Sequence, residues 1–98
     1  MKRRPVFHSE AERELDEVAS YYNAESPGLG YSFLDDVEYA VGQILQYPES
    51  APLVNELVRR KLLRRFPYGI FYSVYPDAIR VLAVAHQKRR PFYWRGRT

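Results

Sequence analysis

The apolar residues of this chain change their period near residue 48, and such a chain has to pack helices from its first half on strands from its second. Ala11, Leu15, Val18, Ala19 and Tyr22 recur at helical spacing, as do Phe33, Leu34, Val37, Val41, Ile44 and Leu45. The breaker cluster 'NAESPGLG' separates the two sets, and Pro48 stops the second helix near Tyr47. Ser9 followed by Glu12 has capping-box spacing, which predicts a first helix starting at about Glu10. Its remaining faces carry Glu10, Glu14, Asp16 and Glu17 and are expected to be wet. The pair reads as an antiparallel helical hairpin preceded by a short strand at Pro5-Val6-Phe7-His8.

Beyond 'YPESAP', the runs 'LVRRKLLRRF', 'GIFYSVY' and 'AIRVLAVAH' are β-branched and aromatic, and 'YPDA' places Pro and Asp where a tight hairpin turn needs them. The last run is apolar on both faces, which predicts a central strand. The order β-α-α-β-β-β, with helices set apart from a mainly antiparallel sheet, is an α+β architecture, expected as one domain over residues 1–98.

Composition removes several function classes. With no cysteine there is no disulfide, thiolate nucleophile or Cys-based zinc site, and His8 and His86 lack metal-ligand spacing. No metal or cofactor is expected. No run approaches the ~20 apolar residues of a membrane span, and the basic start 'MKRRP' is followed by no signal-peptide core, so a cytoplasmic protein without a membrane partner is expected. Charge is divided unevenly: residues 1–50 hold four Lys or Arg against ten Asp or Glu (4 − 10 = −6), and residues 51–98 hold eleven against two (11 − 2 = +9). A field of that sign attracts phosphate backbones or an acidic protein partner.

The cations cluster in two places. Arg59, Arg60, Lys61, Arg64 and Arg65 crowd one predicted strand, either snorkelling at a sheet edge or forming a cationic platform with Lys88, Arg89 and Arg90. His86 ends the last strand, as a partly buried imidazole or as an acid or base beside Tyr93. Phe92, Tyr93 and Trp94 can stack on bases while Arg95 and Arg97 hold the backbone, or close the core. A split is expected, with one or two rings packed and at least one presented.

The ordered series 'AERELDEVASYY' and 'RRFPYGIFYSVYPDAIRVLAVAHQKRRPFYW' resembles the RelE/ParE superfamily of bacterial type II toxins over about residues 3 to 95. The resemblance implies a compact α+β toxin neutralised by a small cognate antitoxin with an acidic or amphipathic segment. It also implies one of two targets. A RelE-like ribosome-dependent mRNA endonuclease would use Tyr93, Arg60, His86 and Arg89. Gly69 and Gln87, however, stand where that branch carries phosphate-contacting arginines. The incomplete nuclease set favours the ParE-like branch, which poisons DNA gyrase without a catalytic site. Arg59, Arg60, Lys61, Arg64, Arg65, Lys88, Arg89, Arg90, Trp94 and Arg95 are then the expected target- or antitoxin-binding residues. A non-toxic, antitoxin-binding co-repressor is the third reading.

Overall fold

The computed structural model describes residues 2–97, in the order β1 (Arg4–Phe7), α1 (Ser9–Glu25), α2 (Leu29–Gln46), β2 (Arg59–Leu62), β3 (Tyr68–Val74) and β4 (Ala78–His86). This is the expected α+β order. The four strands form one sheet in the order β1-β4-β3-β2, so β4 is central. β2 and β3 are antiparallel, as are β3 and β4, whereas β1 runs parallel to β4 with Arg4 opposite Ala78 and Phe7 opposite Val81. Among the described residues no helix is long and apolar enough to cross a membrane.

β1 passes into α1 through His8, whose N–H donates to Val81 O at 2.9 Å and whose Nδ1 accepts from Glu10 N at 3.1 Å. The imidazole therefore caps the helix, a role the capping-box pattern had given to Ser9. α1 also runs on through Asn23 to Glu25, so the breaker is the shorter Ser26-Pro27-Gly28, with Gly28 at φ 91°. The helices meet closely at Gly30, where Asn23 Oδ1 accepts from Gly30 N at 2.8 Å. A Cβ on Gly30 would collide with the Ala19 carbonyl oxygen and lie 2.6 Å from Asn23 Cγ.

The hairpin covers one face of the sheet. Ala11, Ala19, Phe33, Val37, Ala40 and Ile44 bury against Ile70, Tyr72, Ile79, Val81 and Val84. At one end of this layer Tyr22, Phe33, Phe66 and Tyr68 pack tilted or edge to face, with centroids 4.9 Å apart for Tyr22–Phe66 and 5.4 Å for Phe33–Tyr68. Asp36 of α2 is fully buried beneath the turn after β2. Its Oδ2 accepts from Arg65 N at 2.9 Å, while Oδ1 accepts no hydrogen bond and faces Arg64 Nε at 3.6 Å.

The other face carries a smaller core of Val58, Leu82, Ala83 and Trp94, flanked by Val54, Phe71 and Tyr93. A β-bulge makes it possible. Phe71 stands opposite Ala83 and the next residue, Tyr72, opposite Val81, so Leu82 is an extra residue in β4. Leu82 and Ala83 thereby both serve the second core, while Ile79, Val81 and Val84 stay in the first.

Candidate functional site

On the sheet face away from the helices, the chain after β4 folds back to wall a cleft of about 140 Å³. Arg60 and Leu62 of β2, Gly69 and Phe71 of β3, and Ala85 and His86 of β4 line its strand side. Gln87, Arg89, Arg90 and the Pro91-Phe92-Tyr93-Trp94 segment line the opposite side. The hollow follows from register: Gly69 is paired with Ala85, so two small residues sit side by side where larger ones would fill the floor. A Cβ at Gly69 would meet Arg60 Cγ at 3.3 Å and Leu62 Cδ2 at 3.4 Å, so the missing side chain lets Arg60 lie along the sheet.

The structure gathers Arg60, His86, Arg89, Arg90, Tyr93 and Trp94 around this cleft. It does not bring the whole cationic run there. The expected Arg59 to Arg65 strand stops at Leu62, because the chain turns so that Arg65 N–H meets buried Asp36. Arg64 lies instead beside α2, its Cζ 3.5 Å above the Tyr39 ring, and Arg65 stands 6.0 Å from the Phe66 ring. Arg59 points to the helix side and donates to Glu49 O at 2.9 Å and Ala51 O at 2.7 Å. Lys61 lies at the sheet edge beside Ser50, Ala51 and Pro52. Lys88 and Arg95 are exposed, with Arg95 Cζ 5.0 Å from the Phe92 ring.

Two residues with positive φ, Phe92 at 61° and Gly96 at 90°, bend the closing segment. Phe92 thus holds a conformation that side chains other than glycine seldom adopt. The bends turn Tyr93 and Trp94 back onto the sheet and leave Phe92 at the surface. Trp94, expected among the contact residues, is 3 % exposed and packs on Phe71 at 5.3 Å between centroids. This ring seals the second core; it is not free to contact a partner.

The residue that holds the segment in place is one the sequence reading had assigned to a wet face. Glu14 of α1 is 6 % exposed. Its Oε1 accepts from Val84 N at 3.0 Å and pairs with Arg97 Nη1 at 3.0 Å, while Oε2 accepts from the Tyr93 hydroxyl at 2.8 Å. Arg97 Nη1 also donates to Leu82 O at 3.1 Å. β1 pairs with β4 only as far as Val81, so the Glu14–Arg97 pair satisfies the next stretch of an otherwise bare strand edge. Glu14 lies three residues after Ala11 and four before Val18, inside the apolar stripe, and that spacing was the available signal.

Tyr93 is enclosed by this network. Arg89 Cζ lies 3.9 Å and Arg97 Cζ 5.0 Å from its ring centroid. Burial first, and then the hydrogen bond and charge of Glu14, push the phenol well above the ordinary tyrosine range, against the opposing pull of Arg89 and Arg97. Burial also raises Tyr22, Tyr68 and Tyr72. The native state therefore binds more protons than the unfolded chain once unfolded tyrosines ionise, at about pH 10, and stability falls as pH rises beyond that point. In a tyrosine absorbance titration these four phenols should ionise above the ordinary tyrosine range or together with unfolding. A single ordinary transition for all nine tyrosines would contradict the burial described.

His86 ends β4 opposite Tyr68, whose ring it meets edge to face at 5.1 Å. Its Nδ1 accepts from Lys88 N at 3.0 Å, which shapes the turn into the closing segment. Both proton-transfer candidates thus hold structural hydrogen bonds, His86 through Nδ1 and Tyr93 through its hydroxyl.

Comparison with curated proteins returns no match. Among solved structures, a chain of the "Chromosomal ParDE TA system from P. aeruginosa" is similar with a TM-score of 0.75 and 20 % identity. The match covers 88 % of this chain and 96 % of that one, and at this identity the likeness is one of fold. The sequence model of the ParE toxin of the type II toxin-antitoxin system, parDE, matches residues 6–91. With most of its length inside that match, the chain belongs to the ParE toxin family.

Proposed function

We propose that this family member inhibits bacterial growth in the cytoplasm by poisoning DNA gyrase, with no bond-making step of its own. A cognate antitoxin would neutralise it by laying an acidic or amphipathic segment over the basic face. The observation that carries this reading is the state of Tyr93, whose hydroxyl donates to a buried carboxylate and whose phenol is held protonated. A phenol so bound cannot take a proton from an attacking hydroxyl near neutral pH. Gly69 and Gln87 add no charge to the cleft where a phosphate-cleaving site needs it.

Ribosome-dependent mRNA cleavage is the second reading, favoured by the meeting of Arg60, His86, Arg89 and Tyr93 around one cleft. Purified protein assayed against gyrase supercoiling and against programmed ribosomes separates the two. The expected result is loss of supercoiling with intact messenger RNA, unchanged in Tyr93→Phe apart from a stability cost of roughly 1–3 kcal/mol for the buried acceptor left behind. Cuts at defined codon positions that vanish in Tyr93→Phe or His86→Ala would establish the nuclease instead.

A further inference from the structure

The chain carries charge of opposite sign on opposite surfaces. The helices cover one face of the sheet, and their exposed positions include Glu12, Asp16, Asp35 and Glu38, which join no ion pair among the described residues. The cleft lies on the other face. Arg60, Arg89 and Arg90 on its walls are likewise outside those pairs, and no Asp or Glu lines it. Two such surfaces, each without a counter-charge in its own chain, are complementary to each other on a second copy.

Shape narrows the contact to one row of residues. Along α2, Tyr31, Asp35, Glu38 and Gly42 stand at positions i, i+4, i+7 and i+11, all exposed and so on the side away from the sheet. Tyr31 is 67 % exposed, the most exposed aromatic ring among the described residues. It heads the row as a knob, with carboxylates about 6 and 10 Å farther along the axis. Gly42, next in the row, has no side chain to hold a neighbour off. The cleft is a socket of matching size, since its space of about 140 Å³ is close to cavities of roughly 150 Å³ that accept one benzene ring. Leu62 and Phe71 give it apolar sides, and the Gly69–Ala85 pair leaves its floor open. Arginines on its walls suit both an aromatic ring and a carboxylate.

We propose that the chain associates head to tail, Tyr31 of one copy entering the cleft of the next while Asp35 and Glu38 pair with Arg60, Arg89 and Arg90 around it. Knob and cleft face opposite directions, so they cannot meet within one chain. The two contacting patches also differ, so the contact does not close on itself and assemblies lengthen with concentration. Each contact is small, below about 1,200 Å², and its ion pairs are exposed, which makes it weak and sensitive to salt. Every occupied cleft is a masked one, so the chain covers its own basic surface as it accumulates. The proposal concerns two copies of this chain and does not depend on the gyrase reading.

Sedimentation equilibrium of the full-length chain tests it. At about 0.05 M salt the average mass should climb steadily with protein concentration, and at about 1 M salt, where the Debye length shrinks to about 3 Å, it should return to that of one copy. Tyr31→Ala removes the knob, and Arg60→Gln combined with Arg89→Gln removes cleft charge. Each should weaken association about tenfold. Asp35→Lys, on the exposed helix surface, should do the same while leaving knob and cleft in place. Tyr31→Phe, which keeps the ring, should associate as the original does, and so should Tyr47→Ala, a change at an exposed tyrosine off the row. Thermal unfolding checks that every variant is folded.

Mixing gives the sharpest outcome. Tyr31→Ala supplies only a cleft and the doubly changed chain only a knob, so in equal amounts they should form a one-to-one dimer and stop there. An original chain that stays monomeric at low salt, association that survives Tyr31→Ala or the double change, or a mixture that stays monomeric would each overturn the proposal. An original chain whose mass stops at two copies would overturn it as well, because a closed dimer needs a self-complementary patch.

Discussion

Glu14→Ala is expected to destabilise the fold by about 3–5 kcal/mol, the cost of breaking a buried ion pair by removing one partner. The change strands the Arg97 guanidinium, the Tyr93 hydroxyl and the Val84 N–H together, since all three meet the one carboxylate. At about 4–8 °C per kcal/mol for a domain of this size, the melting temperature should fall by roughly 12 °C or more. Urea unfolding measures the loss, and hydrogen exchange should show residues 88–97 opening ahead of the sheet. Glu14→Gln keeps one oxygen acceptor, puts a donor NH2 in place of the other and removes the charge, so it should fall between the two. An alanine variant within about 1 kcal/mol of the original would mean that the closing segment is held elsewhere.

Gly30→Ala should be comparably damaging for an unrelated reason. Its added methyl meets the Ala19 carbonyl oxygen and the Asn23 side chain, which is itself fixed by its hydrogen bond to Gly30 N. Backbone cannot yield as a flexible side chain tip does, so the helices must separate. An overpacking cost of about 1–3 kcal/mol is joined by the lost Asn23 bond at about 1 kcal/mol. Thermal unfolding compared with Gly42→Ala, where a methyl meets nothing within 4 Å, isolates the effect. That control should be neutral or slightly stabilising, by up to about 1 kcal/mol, because alanine favours the helix. Equal melting temperatures for the two variants would refute the close approach.

The sheet and hairpin were legible because their signals are local. Helical spacing in Ala11 to Tyr22 and Phe33 to Leu45 identified the packed faces, and the two-sided apolar run Ile79 to Ala85 identified the central strand. The site was less legible because it depends on partners distant in sequence. Five cations in seven residues read as one strand until Asp36, some thirty residues earlier, drew the backbone of Arg65 away. Trp94 stood among the expected contact residues, and which ring of the triplet packs was not legible, because the bulge that exposes Leu82 to Trp94 leaves no mark on the pattern. Glu14 was misplaced for the opposite reason: charge outweighed position, although the helical spacing already set it inward. His86 was singled out by its place at the end of the last strand and Arg60 by the cationic run and the family resemblance, but their common cleft depends on a Gly69–Ala85 pairing that only the register creates.

The parallel pairing of β1 with β4 also has a kinetic side. Residues 4–7 find their sheet partners at residues 78–81, so the first strand must wait for the last. A chain emerging from synthesis holds a helical hairpin whose apolar stripe has no sheet to cover until β3 and β4 follow. Glu14 likewise remains without Tyr93 and Arg97 until residues 93–97 have been made, some eighty positions later. Long-range closures of this kind slow folding. The basic cleft, whose outer wall is the segment after β4, therefore assembles only once residues 87–94 have followed the sheet, and its residues act together only from that point.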